Sequence, residues 1–207
     1  VIHQNIIELK SIVKNKPIYL VGGGSSLKNF DWNFLKDKNH IAINAAYNFC
    51  PNATALYWAD TPHFDNKNLS NLQKHNTQLR FTTTKNWLEC FSKERNLSIA
   101  GGVLLHRQIE KDFTPNLHEI CGNNSGAQCI NFAINLGVSN IILLGYDMGG
   151  EHFHDFYDFR NYIPPDEHVY RSFSDSIIKM LPYIKQSNIP VVHGTKGSRL
   201  TCFPTEV

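Results

Sequence analysis

No charge of one sign dominates this chain. Its 207 residues carry 20 Lys+Arg against 18 Asp+Glu, a formal net charge of +2. With no basic stripe and no acidic tail, sequence-independent nucleic-acid binding and adhesion to anionic membranes are poor readings. Long apolar runs are missing too. None approaches the roughly 20 residues that span a bilayer, and residues 1–20 lack the pattern of a secretory signal, so no membrane insertion is expected. Cysteine is sparse and badly placed for cross-links. The five, Cys50, Cys90, Cys121, Cys129 and Cys202, include no C-x-x-C pair, and an odd number makes a poor disulfide framework. Reduced thiols in a cytoplasmic protein are the expectation. Nor is a staple needed, because a chain of this length buries roughly two-thirds of its unfolded surface.

What the chain does have is alternation. Ile2, Ile6, Leu9 and Val13 share one helical face, which predicts a leading helix ended by Pro17. IYLV at 18–21 reads as a short buried strand, with GGGSS at 22–26 as the loop that leaves it. HIAIN at 40–44, ALYWAD at 55–60 and QLRFTTT at 78–84 are further predicted strands, and 85–120 carries no clear period. After NNSG at 123–126, Ile130, Ala133, Ile134 and Leu136 have helical spacing, and Gly137 stands where a C-terminal cap belongs. IILL at 141–144 is the continuous apolar run of a strand buried on both faces, and GYDMGG at 145–150 leaves it. A helix through SDSIIKMLPYIKQ at 174–186 and a strand IPVVH at 189–193 close the pattern. The class is α/β, a Rossmann-like open, mainly parallel sheet flanked by helices. One nucleotide-binding-type domain over 1–207 is expected, with an irregular loop insertion around 151–168.

Gly22, Gly23, Gly24, Ser25 and Ser26 directly follow a strand, where backbone amides can approach an anion. A tight turn needing positive φ explains one glycine more easily than three. The dinucleotide fingerprint G-x-G-x-x-G fails at Leu27, and Asn44 stands where the ribose acid of an NAD site belongs, so NAD is disfavoured. No Lys-Ser/Thr pair completes a P-loop. Asn124, Ser125 and Gly126 form a second helix start, either a plain cap or a place where a ligand meets free donors. Asp60 and Asp147 end apolar strands at the edge where ligands sit in open α/β sheets. Glu151, His152, His154 and Asp155 crowd one loop. Metal is the weaker reading, since no third ligand has a recognised spacing, and a general base or phosphate contact is preferred. His168, with Tyr170 and Arg171 after it, is a further candidate.

YLVGGGSSLKNFDW, AINAAYNF, ALYWAD, NNSGAQCINFAINLGVSNIILLGYDM and HGTKGSRLTCFP together resemble a phage and prophage family of unknown function, related to archaeal 6-hydroxymethylpterin diphosphokinases. More distantly, the chain resembles the bacterial family 42 sialyltransferases, which share the Gly-x-Gly-x-Ser-Leu loop, the strand-ending Asn, the Ser-Gly helix start and a strand ending in G-x-D. That likeness implies that Gly22, Gly24, Ser26, Asn44, Ser125 and Gly126 bind the CMP moiety of a donor, and that the catalytic His falls near His168. Two positions depart from it. Gly122 stands where the family has Arg, and Gly149-Gly150 where it has the tyrosines that steady the leaving phosphate.

The function expected is a nucleotide-dependent transferase, glycosyltransferase-like, using a nucleotide-sugar donor. His152, His154, His168 and Asp147 are its candidate catalytic groups, and Gly22–Ser26, Asn44, Asp60 and Asn124–Gly126 its nucleotide contacts. The alternatives are a Mg-dependent pterin diphosphokinase-like enzyme, with Asp60 and Asp147 on the metal, and a non-catalytic phage or prophage accessory protein that keeps the fold. No cofactor is required by the leading reading. The partner is a nucleotide or nucleotide-sugar, not nucleic acid, in the cytoplasm, which is the host's if the chain is phage-encoded.

Overall fold

A computed structural model of the chain describes residues 3–59, 74–83, 102–153 and 165–206. Helix α1 (Gln4–Val13) leads into β1 (Pro17–Val21), β2 (His40–Ile43), β3 (Ala55–Trp58), β4 (Arg80–Thr82) and β5 (Gly102–Leu104). Strands β6 (His106–Gln108) and β7 (Glu119–Cys121) follow, then α2 (Ser125–Leu136), β8 (Asn140–Leu144), α3 (Glu167–Ser187) and β9 (Val191–His193). Seven strands form one sheet in the order β5-β4-β3-β2-β1-β8-β9, parallel at every pairing, while β6 and β7 pair separately. From β1 the chain adds strands outward to β5, then returns to place β8 on the other side of β1. The order therefore reverses between β1 and β8, and at such a point the loops leaving neighbouring strands part and open a crevice.

Side chains alternate across this sheet as the two-residue strand period demands. Ile18, Leu20, Ile41, Ile43, Tyr57, Ile141 and Leu143 point to one face, where they meet Ile6 and Leu9 of α1, Ile130 and Phe132 of α2, and Ile177 and Met180 of α3. Val21, Ala42, Leu56, Trp58, Ile142 and Leu144 point to the other. There the cover comes from 3-10 turns carrying Leu27, Leu35 and Tyr47, and all three α-helices of the described residues belong to the first face. Both faces are dry, which is why the strands read as apolar runs rather than as alternation.

The helix α2 begins and ends as its sequence indicates. Asn124 Oδ1 accepts from the Ala127 amide at 2.9 Å, and Gly137 takes φ 75° at the other end. Helix α3 differs from expectation. It starts at Glu167, inside the stretch read as irregular, because the Asp166 side chain accepts from the Val169 amide at 2.9 Å and caps it there. Its first turns carry polar and aromatic residues with no apolar period, so the sequence hides them. In 85–120 the strands β5, β6 and β7 are three residues each, too short for any period to register. Cys50, Cys121, Cys129 and Cys202 are free thiols, and burial pushes Cys50 up to about 12 and Cys129 well above the ordinary thiol range. Among the described residues no helix is long and apolar enough to cross a membrane.

At the amino end of β2, His40 is 1% exposed and its Nδ1 donates to the Lys38 carbonyl at 2.7 Å. Its Nε2 has no partner among the described residues. Burial lowers its pKa below 6.5, and His75, itself lowered by burial, adds a repulsive charge nearby. The buried Arg80 guanidinium, bonded to the Thr77 and His75 carbonyls, makes protonation there harder still. The folded state therefore binds fewer protons than the unfolded one below pH 6.5, so stability falls as pH drops through that value. Urea unfolding at pH 7 and pH 5 should show a loss of midpoint in the native chain that His40→Gln reduces. An equal loss in both would remove His40 from the cause.

Candidate functional site

Strands β1 and β8 leave the sheet side by side, and their loops are interlocked. The Gly22 amide donates to the Leu144 carbonyl at 2.8 Å and the Gly24 amide to the Gly145 carbonyl at 2.9 Å. A Cβ on Gly22 would stand 2.8 Å from the Gly145 oxygen, on Gly23 2.5 Å from His152 Nδ1, and on Gly24 2.5 Å from the Asp147 carboxyl carbon. Each glycine admits one part of the loop leaving β8. The Gly22 and Gly24 amides are therefore engaged by backbone carbonyls, and none of the three glycines has positive φ.

Ser25 and Ser26 serve the same lock. The Ser26 amide and hydroxyl donate to the Asp147 carboxylate at 2.7 and 2.6 Å, and the Ser25 hydroxyl at 3.3 Å. Asp147 is 8% exposed, and three donors compensate its buried charge. Both its oxygens thus hold the Gly/Ser loop, the work of a positioning group, though Asp147 was among the candidate catalytic groups of the sequence.

Above this lock lies a cavity of about 420 Å³. Gly22–Gly24 form one side and the loop from Gly145 to His152 another. Asn44, at the end of β2, takes the left-handed conformation with φ 51°, which asparagine tolerates better than most residues. Its Nδ2 donates to Ser125 Oγ at 3.2 Å, tying β2 to the start of α2. Ser125 and Gly126 bring the N-terminus of α2, the positive end of its macrodipole, to the cavity wall. Gly126 is needed for contact, since a Cβ there would stand 2.8 Å from the Tyr146 ring. The Tyr146 hydroxyl donates to the Gly126 carbonyl at 3.2 Å, and burial raises its pKa far above the ordinary range, so it stays a donor.

His152 is the titratable group with the clearest chemical role. Its Nδ1 lies 3.0 Å from the Gly23 carbonyl, which fixes the proton on Nδ1 and leaves Nε2 as the basic nitrogen. Burial is the larger influence and lowers its pKa below 6.5, against the raising effect of that hydrogen bond. The ring is neutral at pH 7. Its loop is anchored by Phe153, whose amide donates to the Gly23 carbonyl and whose ring packs against Trp32 and Phe49.

Of the residues picked out in the sequence, Gly22, Gly23, Gly24, Asn44, Asn124, Ser125, Gly126, Asp147 and His152 line this one cavity. Ser25 and Ser26 sit behind it on Asp147. Asp60 and His154 fall outside the described residues. His168 does not reach the cavity. It is exposed on the first turn of α3 and lines a separate hollow. The reason is geometric: at about 100° per residue, Tyr170 facing the cavity turns His168 to the far side of the helix. Of the candidate cluster at 168–171 it is Tyr170 that faces the cavity, and Phe173 beside it is a wall residue that the sequence reading missed. Only an early start to α3, with its i, i+3 pairing, would have flagged it. The Tyr170 hydroxyl donates to the Gly150 carbonyl at 2.9 Å, and its pKa is raised, by burial first.

No protein-family model matches this chain, and no curated protein matches it in sequence. Solved structures do share its fold. The monofunctional alpha-2,3-sialyltransferase Cst-I from Campylobacter jejuni superposes with a TM-score of 0.60 at 16% identity, over 100% of this chain and 82% of that one. The sialyltransferase CstII from Campylobacter jejuni in complex with cytidine-5'-monophosphate gives 0.57 at 19%, over 93% and 85%. CstII in complex with CMP-3FNeuAc gives 0.54 at 16%, over 92% and 85%. At such identities the likeness is one of fold: α/β, with a parallel seven-stranded sheet.

The lock makes its own prediction. Asp147→Ala strands the Ser26 amide and both serine hydroxyls, and should cost about 2–3 kcal/mol of folding stability. Urea denaturation measures this directly. A loss below about 0.5 kcal/mol, the size of an ordinary surface change, would mean that the glycine contacts alone hold the loops together.

Proposed function

We propose that the chain is a nucleotide-dependent transferase that moves a sugar from a CMP-sugar donor to an acceptor hydroxyl. The observation that carries this reading is the cavity at the strand-order reversal, where a helix N-terminus, the Asn44–Ser125 pair and neutral His152 meet. The Campylobacter enzymes with this fold were solved with CMP and with CMP-3FNeuAc, which supports cytidine as the base. In this reading residues 1–207 act as one nucleotide-binding domain. Asn44 and Ser125 hold the nucleotide, and the N-terminus of α2 faces the phosphate, where charge grows as the donor bond breaks. The acceptor oxygen forms its bond to the anomeric carbon. The carbon–oxygen bond to phosphate breaks, and CMP departs with the electron pair. His152 Nε2 takes the acceptor proton.

The diphosphokinase alternative needs magnesium on carboxylates. Asp147 is a poor fit, because both its oxygens already accept from Ser25 and Ser26.

A thermal-shift series with CMP, UDP, GDP, ATP and NAD tests the nucleotide. CMP should stabilise most, by about 2.7 kcal/mol at 100 times its Kd. Stabilisation by NAD alone, or by none of them at millimolar concentration, would overturn the reading. Binding of a CMP-sugar with no transfer or hydrolysis would favour the non-catalytic alternative.

His152 sets the pH dependence. A base held below 6.5 is active when neutral, so turnover should fall as pH drops beneath that value and stay level through neutrality. His152→Gln should lower kcat by about 10²–10⁴-fold and change CMP affinity by less than about twofold. An unchanged kcat would take the proton away from this residue.

A further inference from the structure

Helix α3 has two working faces. Tyr170, Phe173, Ile177 and Met180 turn toward the cavity and the core. His168, Arg171, Ser172, Asp175, Ser176 and Lys179, at the i, i+3, i+4 spacing of the opposite stripe, line a second hollow of about 480 Å³. Its other wall is β6 and the loop after it, with Arg107 in the strand and Lys111 in the loop. Four basic side chains thus face one another across a gap, against the two carboxylates of Asp112 and Asp175. Among the described residues Arg171 has an exposed contact with Glu167 at 3.8 Å to offset it, which is weak. Like charges on facing walls repel unless an anion lies between them.

The hollow adjoins the cavity. Asn123 lines both. Its side chain donates to the Ser172 hydroxyl at 2.7 Å and carbonyl at 2.9 Å, and its amide to the Ser176 hydroxyl at 3.0 Å. Asn123 is thus the rim between them, and a molecule long enough to cross it would have one end in the cavity and the other between the two basic walls. At the rim Ile109, 83% exposed, offers an apolar contact of the size of a sugar face.

We infer that this hollow is the acceptor subsite, and that it takes a saccharide bearing acidic groups. The inference rests on the transferase reading for the word acceptor, but its charge chemistry is testable alone. Calorimetric titrations would use trigalacturonate, maltotriose as the neutral control, and inorganic phosphate as the free ion, each with and without CMP. Trigalacturonate should bind at least about tenfold more tightly than maltotriose or phosphate. Arg107→Ala/Lys111→Ala should weaken it by at least about tenfold while CMP affinity moves less than about twofold. Lys179→Gln, on the facing wall, should weaken it in the same direction and guards against misfolding of the double variant. Equal binding of acidic and neutral saccharides, phosphate binding as tightly as trigalacturonate, or variants that bind like the native chain would overturn the inference. Failure of CMP to bind, with trigalacturonate binding intact, would instead sink the transferase reading and leave an acidic-saccharide site.

Discussion

The site depends on one buried carboxylate. Where the strand order reverses, the loops after β1 and β8 have every reason to part, and Asp147 holds them together through the Ser26 amide and the two serine hydroxyls. Other contacts take their position from this one. The Asp147 carbonyl accepts from the Arg199 amide, and the Ser198 hydroxyl donates to the Tyr146 carbonyl at 2.6 Å, so the C-terminal segment is seated on the same loop. His152 is oriented by the Gly23 carbonyl, which the lock has already placed. The three glycines follow as a steric consequence, since any side chain there would enter the space of Gly145, His152 or Asp147.

Most of the sheet was legible because its strands are central. Burial on two faces leaves an apolar run, as at 141–144, and such runs survive without knowledge of neighbours. The α2 caps, Asn124 and Gly137, are local chemistry and were legible for the same reason. What failed was non-local or too short. Three-residue strands carry one and a half periods. The first turns of α3 are held by the adjacent Asp166 cap, by Asn123, 49 positions from Ser172, and by Arg199, 32 positions from Glu167, and no window of local sequence contains the last two.

The site was legible as a set of positions and less so as a set of roles. Gly-rich loop, Asn44, Ser125-Gly126 and His152 could be grouped because each stands at a strand's carboxyl end or a helix start. Whether a glycine makes room for an anion or for another backbone cannot be told from the glycine. It depends on Asp147 and His152, more than 120 residues later. An aspartate ending a strand likewise looks the same whether it meets a substrate or two serines.

On the transferase reading, the leaving phosphate must be stabilised without a cation in the wall. Among the described residues lining the cavity there is no lysine or arginine. At Gly122, where the resemblance sets an arginine, no side chain fits without strain: its φ is +123°, and a Cβ there would stand 2.8 Å from that of Ala127. What remains among the described residues is the end of α2, worth roughly half a unit charge, with the Ser125 hydroxyl beside it. A cation does stand one layer back. The Arg199 guanidinium packs on Gly149, close enough that a Cβ there would lie 2.7 Å from it, and pairs with Glu167 at 2.7 Å. Shared with Glu167, its charge acts weakly at the wall. Fixed dipoles are adequate for this task where the cavity keeps water out, because they are oriented before the charge appears and need no reorganisation when it does.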